Sequence, residues 1–451
     1  MHNKTKLLIF ASLLLAACST DPMQEIPNRG DSAPEIETSD KICNTSDDAV
    51  AGSLIVKFGE EAIPSLEQNA LNAAKTRSAL TRSGIESVDD ILNDLHVTSL
   101  ERVFPEAGEH EARTRAAGLH RWYVLGFASE EDLDKAAERL ADVAEISKVQ
   151  FRTRLYRASD CKTYPFQATA NGQTRALVTA DFNDPNLFWQ WHYINNADQA
   201  VATTSVAGAD INVADAWKLT AGNPEVIVAI VDEGVKYTHP DLAANMWINP
   251  NPSPEYKNQD IHGWNFAADG PISWGQKGDS GHGTHVAVAA VNNNGIGVCG
   301  VAGGTGKGDG VRLMSCQIFS GDLTGDALVS SRAVKYAADH GASILQCSWG
   351  IKAGIYTSDN MFIKQSPMDY EALQYFAAQK NCEALDGGLI VFSAGNESTA
   401  MSGYPAGYRD YISVTSFSPD YLPANYTNYG PGCNIAAPGG ETSGLSGGEK
   451  A

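Results

Sequence analysis

Val226-Ile-Val-Ala-Ile-Val-Asp232 indicates the fold class of this chain most directly, because a run of apolar, mostly β-branched residues leads straight into a carboxylate. An apolar run without alternating polar residues is typical of a strand buried on both faces of a sheet. Similar apolar runs occur at 313–319, 344–349, 389–393 and 412–415, with helical patterns at 326–340 and 368–379. This alternation predicts an α/β fold, in which helices cover both faces of a doubly wound parallel sheet.

Two further blocks bring polar side chains to the ends of such elements. Gly281-His-Gly-Thr-His285 places an imidazole between two glycines at a helix start, and Val391-Phe-Ser-Ala-Gly-Asn396 ends an apolar run with a side-chain amide. In open α/β sheets, ligands bind beyond the carboxyl ends of the strands. An acid at Asp232, a base at His282 and a hydrogen-bond donor at Asn396 are three of the parts of a serine-protease site.

The sequence around these blocks resembles the subtilisin family of serine endopeptidases, from about residue 183 to residue 439. The matching stretches, in the family's order, are Gly208-Ala-Asp-Ile-Asn-Val-Ala-Asp-Ala-Trp217, Asp232-Glu-Gly-Val-Lys-Tyr-Thr-His-Pro-Asp-Leu242, Gly281-His-Gly-Thr-His-Val286, Asn294-Gly-Ile-Gly-Val-Cys-Gly-Val-Ala302 and Ser393-Ala-Gly-Asn396. The resemblance implies that Asp232 orients and stabilises His282. It implies that His282 is the general base and then the general acid, and that Asn396 donates its amide to the oxyanion.

The resemblance also implies a groove for protein or peptide substrates. Ser348-Trp349-Gly350 matches the family's segment whose backbone pairs with an extended substrate, and Gly395 lies beside the oxyanion donor. Trp349 replaces the small aliphatic residue that is more usual at this position. A plain strand end is the alternative interpretation of this segment.

Asp241 and the loop 292–298 resemble the family's tight calcium site. The implied ligands are the Asp241 carboxylate, the amide oxygen of Asn294 and the backbone carbonyls of Asn292, Ile296 and Val298. Such an all-oxygen set suits a hard cation. A bare turn without calcium is the alternative.

The nucleophilic serine is missing from its expected place. The family carries it in a Gly-Thr-Ser-Met-Ala-type block, and no such block occurs among the 55 residues after Asn396. Gly444-Leu-Ser-Gly-Gly448 matches the pattern G-x-S-x-G, but the strand before and the helix after that this motif needs are not indicated around Ser446. We therefore expect a C-terminally incomplete catalytic domain whose serine lies beyond Ala451, and a chain that is inactive as it stands.

Two other functions stay open. An inactive relative that acts as a binding or inhibitory module would have every feature described above except the serine. A metal-dependent hydrolase could use His282 and His285, although this pair lacks the glutamate of an H-E-x-x-H motif.

The first part of the chain predicts export and a second, smaller domain. Residues 1–17 are typical of a lipoprotein signal peptide, and Leu15-Ala-Ala-Cys18 resembles a bacterial lipobox, which would lipidate Cys18. The protein would then be exported and anchored to a membrane of the bacterial cell envelope. Residues 18–49 are mostly polar and are predicted to form a tether.

The order β-α-β-β-α-β over residues 50–155 predicts a small α+β, ferredoxin-like domain. It is similar in size and strand order to the inhibitory propeptide of the family, so the chain's own propeptide is an expected partner. An arginine-rich linker is predicted for 156–180, and the incomplete catalytic domain for 181–451.

Composition narrows the remaining function classes. The net charge of −21 over 451 residues argues against a nucleic-acid partner. A disordered acidic chain is not expected either, because 43% of the residues are hydrophobic and only 19% are charged. The cysteines after Cys18 are dispersed and have no zinc-ligand spacing.

Overall fold

The structure, a computed structural model, describes residues 40–76, 78–128, 132–157, 182–197 and 204–440. We call residues 40–157 the N-terminal lobe and residues 182–440 the C-terminal lobe. The predictions for residues 1–17, Cys18, most of the linker and Ser446 lie outside the described residues. In the part that is described, no helix has the length and apolar character needed to cross a bilayer.

The N-terminal lobe is a four-stranded antiparallel sheet with helices. Its strands are β1 (Ala49–Phe58), β2 (Ser99–Arg102), β3 (Trp122–Gly126) and β4 (Ile146–Thr153), and a short β5 (Tyr156–Arg157) follows them. Its helices are α1 (Ile63–Thr76), α2 (Glu86–Asp94), α3 (Glu111–Ala116) and α4 (Leu133–Ala141). The sheet order is β2-β3-β1-β4. Asp132 begins α4 by accepting a hydrogen bond from the backbone N of Lys135, and the helix buries Ala136 and Leu140 against the sheet.

The C-terminal lobe is built on a seven-stranded sheet. The strands of this lobe are β6 (Ile227–Glu233), β7 (Gly263–Asn265), β8 (Arg312–Phe319), β9 (Ile344–Cys347), β10 (Trp349–Gly350), β11 (Leu389–Ser393), β12 (Ile412–Phe417) and β13 (Ile435–Pro438), and all of them except β10 belong to the seven-stranded sheet. Its helices are α5 (Val213–Ala216), α6 (His282–Val286), α7 (Ala327–Asp339), α8 (Asp359–Gln365) and α9 (Pro367–Ala377). The sheet order is β13-β12-β11-β9-β6-β8-β7, and every pair is parallel.

Both faces of this sheet are covered. Val231 of β6 packs in the same apolar cluster as α7 and α9, whereas its neighbour Ile230 packs with Ala287 and Val291 on the opposite side. The α/β fold with a parallel, doubly wound sheet, predicted from the apolar runs, is thus confirmed. Because β11, β9 and β6 are adjacent, their carboxyl ends lie side by side at one edge of the sheet.

Some boundaries differ from the predicted ones. The run 344–349 forms two strands, because Trp349 and Gly350 leave the parallel sheet and pair antiparallel with β5. Part of the predicted tether is also paired: the Asn44 side chain bonds the backbone of Phe151 in β4, and β1 begins at Ala49. Tyr156 and Arg157, the first residues of the predicted linker, form β5. Local patterns could not indicate these pairings, since each partner is distant in sequence.

Candidate active site

Asp232 and His282 form a hydrogen-bonded pair at the carboxyl end of β6. The Nδ1 of His282 lies 2.7 Å from Oδ1 of Asp232, and Asp232 is fully buried. Gly281, at φ 78°, precedes α6 in a left-handed conformation that favours glycine. The absence of a side chain on Gly283 lets α6 approach β6, because a Cβ there would lie 2.1 Å from the carbonyl oxygen of Glu233. The two glycines therefore position the imidazole beside the carboxylate.

The pair has the electrostatics of an oriented base. Burial lowers the pKa of His282, but the hydrogen bond and the charge of Asp232 outweigh it, so the pKa is raised above its usual value. The bond to Asp232 stabilises the imidazolium and engages Nδ1, so Nε2 is the ring nitrogen that lies outside this bond.

Glu233 was missed by the sequence interpretation. It is 1% exposed, and its carboxylate accepts hydrogen bonds from the backbone N of Ser280 (3.2 Å), the Ser280 hydroxyl (3.0 Å) and the backbone N of His282 (2.9 Å). It also forms an ion pair with Arg157 of the N-terminal lobe. The signal that could have found it is a second acidic residue at the end of an apolar run, where a charge is costly unless it is paired.

A cleft lies where β5 meets β10. Tyr156 pairs with Gly350 and Arg157 with Trp349 in antiparallel register. The lining of this cleft also includes Gly395 and Asn396. The structure thus brings together four of the predicted residues, Trp349, Gly350, Gly395 and Asn396. Ser348 is not part of this lining, and its hydroxyl accepts a hydrogen bond from Gln346.

The loop that carries Asn396 is held in place by hydrogen bonds to Asn428. Gly395 has φ 110°, and a Cβ there would lie 2.4 Å from Nδ2 of Asn428. The fully buried Asn428 donates to the carbonyl of Ala394 (3.0 Å) and accepts from the backbone N of Glu397 (2.9 Å). Asn396 itself is exposed in the cleft. Asn428 was missed as well, since nothing local distinguishes it from an ordinary turn residue.

Neither a nucleophile nor a transition-metal cluster accompanies the histidine within the described ranges. There, no serine hydroxyl hydrogen-bonds to His282. In the same residues, no group of three or more His, Cys, Asp or Glu side chains is arranged to hold a metal ion. His285, the partner proposed for a metal-dependent hydrolase, is exposed on α6.

The residues predicted to bind calcium do lie together. Asn292 donates its backbone N to the carbonyl of Asp241 (2.7 Å), and the backbone N of Val298 donates to the Asp241 carboxylate (3.3 Å). Within the described part of the chain, Oδ1 of Asp241 and Oδ1 of Asn292 are buried without a hydrogen-bond partner. Two orphaned buried oxygens fit a hard cation, because each is otherwise left desolvated and unpaired.

Other members of this loop make internal contacts. The amide oxygen of Asn294 accepts a hydrogen bond from the backbone N of Ile296 (3.1 Å). Asp184, which the sequence interpretation missed, accepts from the backbone N of Asn294 (3.3 Å) and Gly295 (3.1 Å). Asp184 thus adds a second carboxylate beside the predicted calcium loop.

Comparisons with known proteins show what the chain is similar to. A model of the Subtilase family matches residues 223–450, which is half of the chain. Halolysin of Haloferax mediterranei is 31% identical over 274 residues, which cover 60% of this chain and 43% of halolysin. Thermitase of Thermoactinomyces vulgaris is 30% identical over 231 residues, which cover 51% of this chain and 68% of thermitase. The chain spans about half the length of the curated relatives it matches.

A solved structure agrees with the fold. Fervidolysin from Fervidobacterium pennivorans, a keratinolytic enzyme related to subtilisin, matches with a TM-score of 0.55 and 20% identity. The match covers 90% of this chain and 50% of fervidolysin. At this identity the likeness supports the subtilisin-like fold, which was predicted, and not a particular substrate.

Proposed function

The chain belongs to the subtilase family, and we therefore propose that it is the precursor of a serine endopeptidase that hydrolyses peptide bonds in proteins. Asp232 orients the base, His282 takes the proton of a serine and returns it to the leaving amine, and Asn396 donates to the tetrahedral oxyanion. The observation that carries the proposal is the antiparallel pairing of β5 with β10 beside the Asp232–His282 pair. A peptide substrate would bind as an extended strand in the position that β5 occupies.

The nucleophile is proposed to be a serine outside this sequence, in a block of the family's Gly-Thr-Ser-Met-Ala type. Residues 397–451 contain no such block. The 451-residue chain is accordingly proposed to be inactive until that serine is present.

The N-terminal lobe is proposed to be an inhibitory propeptide. Its β5 lines the cleft and pairs with β10, and the preceding residue Leu155 donates its backbone N to the carbonyl of Gly325 (2.8 Å), a second backbone contact with the C-terminal lobe. Away from the cleft, Lys57 forms an ion pair with Glu371 (2.6 Å), to which Trp122 also donates (2.8 Å). A substrate cannot pair with β10 while β5 occupies it, so these contacts would keep the enzyme inhibited.

A calcium ion and a lipid anchor are also proposed for this chain. We place a structural calcium ion at Asp241, Asn292, Asn294, Ile296 and Val298, supported by the two orphaned oxygens. When bound, calcium would neutralise the Asp241 carboxylate and cross-link the loop 292–298 to the segment that follows β6. Lipidation of Cys18, with export to the bacterial cell envelope, is proposed from the lipobox-like sequence.

A fluorophosphonate probe, which labels an activated serine, tests the enzymatic proposal. Two proteins are compared: the 451-residue chain, and a longer product that carries the family's serine block. The longer product should label once its N-terminal lobe is removed, and His282→Ala should abolish the labelling.

Failure of the longer product to label would instead favour an inactive binding module. Strong labelling of the 451-residue chain that is lost in Ser446→Ala would assign the nucleophile to Ser446.

A further inference from the structure

The side chain of Arg157 lies in a pocket whose chemistry suits a cation. Its guanidinium forms an ion pair with Glu233 and donates to the backbone carbonyls of Gly278 (3.5 Å) and Gly321 (3.4 Å). Its Cζ atom also lies 5.2 Å from the ring centroid of Phe319. One carboxylate, two carbonyl oxygens and one aromatic face therefore surround the charge.

This pocket belongs entirely to the C-terminal lobe and is held by that lobe's own contacts. Glu233 is fixed by Ser280 and by the backbone N of His282. The loops that supply the two carbonyls are joined by a hydrogen bond of 2.6 Å from the backbone N of Gly321 to the Asp279 carboxylate. Arg157 is the cation that pairs with Glu233 in the described part of the chain, so removing it would leave this carboxylate, whose side chain is 2% exposed, without a cation among the described residues. An unpaired buried carboxylate is strongly unfavourable, so another cation should bind in the place of the Arg157 guanidinium.

We infer that Glu233 is a specificity-determining residue, which selects a basic side chain at the substrate position that Arg157 occupies. This inference rests on the proposed function, because it takes β5 to lie where a substrate binds. Arginine is preferred over lysine, since a planar guanidinium can reach the carboxylate and both carbonyls while it stacks on Phe319. Glu233 directly follows Asp232 and bonds the backbone of His282, so the selected residue lies beside the reacting bond.

Peptide hydrolysis by the active, longer product gives the first test. In a set of fluorogenic peptides of equal length, a single arginine is moved from position to position, and methionine replaces it in the matched set. One position should show an arginine preference in kcat/KM of about 10- to 100-fold, as expected for one charge-assisted hydrogen bond, with lysine in between.

Variants then assign the preference to the carboxylate. Glu233→Gln should bring the arginine-to-methionine ratio close to one, whereas Glu225→Gln, at an exposed residue before β6, should leave the ratio unchanged. Hydrolysis without any position that prefers arginine would overturn the inference and leave the proposed function intact. A preference that survives in Glu233→Gln would also overturn it.

A second test needs no catalysis and uses the 451-residue chain. Arg157→Met should raise amide hydrogen exchange in β5 and β10 by about 10- to 100-fold, because the docked strand loses its buried ion pair. Arg157→Lys should raise it less. Arg154→Met is the matched control, since that guanidinium contacts Asp48 and Ala49 of its own lobe. Unchanged exchange in Arg157→Met would overturn the inference, whether or not any peptide is hydrolysed.

Discussion

The side-chain amide of Gln150 on β4 donates a hydrogen bond of 3.1 Å to the carboxyl group of Asp369 on α9, and both residues are buried between the two lobes. The hydroxyls of Ser330 and Ser331 lie 3.5 and 3.4 Å from the same carboxyl group. Burial raises the pKa of Asp369 to about 7, with the negative charge of Asp326 adding to it and the Gln150 bond opposing it. A carboxyl group with this pKa makes the contact between the lobes sensitive to pH.

Stability should therefore fall as the pH rises through the range from about 4 to about 7. The pKa of Asp369 is higher in the folded protein than in the unfolded chain, so the folded protein binds the extra proton and loses this advantage as the proton dissociates. In Asp369→Asn the group cannot ionise, and the decline of the melting temperature between pH 5 and pH 8 should be smaller than in the wild type. Asp410→Asn, at an exposed residue, is the control. Identical declines in wild type and Asp369→Asn would contradict this explanation.

A second contact between the lobes should contribute more to stability than a surface ion pair. Arg152 bonds both carboxylate oxygens of Asp326, at 2.6 and 3.3 Å, and Asp326 also begins α7 as its N-cap. Arg152→Met leaves that carboxylate buried and should lower the free energy of unfolding by about 3 kcal/mol. Arg139→Met breaks an exposed pair with Asp94 and should cost below about 1 kcal/mol. Denaturant unfolding of the two variants measures both free energies of unfolding. Equal decreases in the two variants would show that the contact between Arg152 and Asp326 contributes no more than a surface ion pair.

The sequence predicted the sheet well because its strands are continuous apolar runs, and buried parallel strands need no partner to be recognisable. It singled out Asp232 and His282 from their places at the end of an apolar run and at a helix start, but it paired them only through the resemblance to a family, since a carboxylate and an imidazole fifty residues apart have no local signal of contact. Asn428 and β5 were missed for the same physical reason. Each acquires its role from a partner that folding alone brings near, so the composition of the flanking residues does not reveal it.

Calcium should stabilise the folded chain. A ligand that binds the folded loop and not the unfolded chain adds about 2.7 kcal/mol when its concentration is one hundred times Kd. The melting temperature should therefore rise with calcium and fall with a chelator. Asp241→Ala should remove this dependence, whereas Asp322→Asn, in an exposed loop, should retain it. A melting temperature that changes with neither calcium nor chelator would rule out the calcium site.

Palmitate labelling in a bacterial host tests the proposed lipid anchor. Labelling should require Cys18, because only that cysteine follows the Leu-Ala-Ala sequence. Cys43→Ala, which removes a cysteine of the N-terminal lobe, should label as the wild type does. Undiminished labelling of Cys18→Ala would rule the anchor out.

Catalysis by the longer product proposed above should depend on pH through His282. His282 can accept the serine proton only when its imidazole is neutral, so kcat/KM should fall as the pH drops through the pKa of His282. That pKa is raised by Asp232, and therefore Asp232→Asn should move the acidic limb of the profile to lower pH. The same variant should lower kcat by about 10⁴-fold, because an amide favours the wrong tautomer of the imidazole. A large loss of kcat with an unmoved acidic limb would mean that Asp232 orients His282 but does not set its pKa.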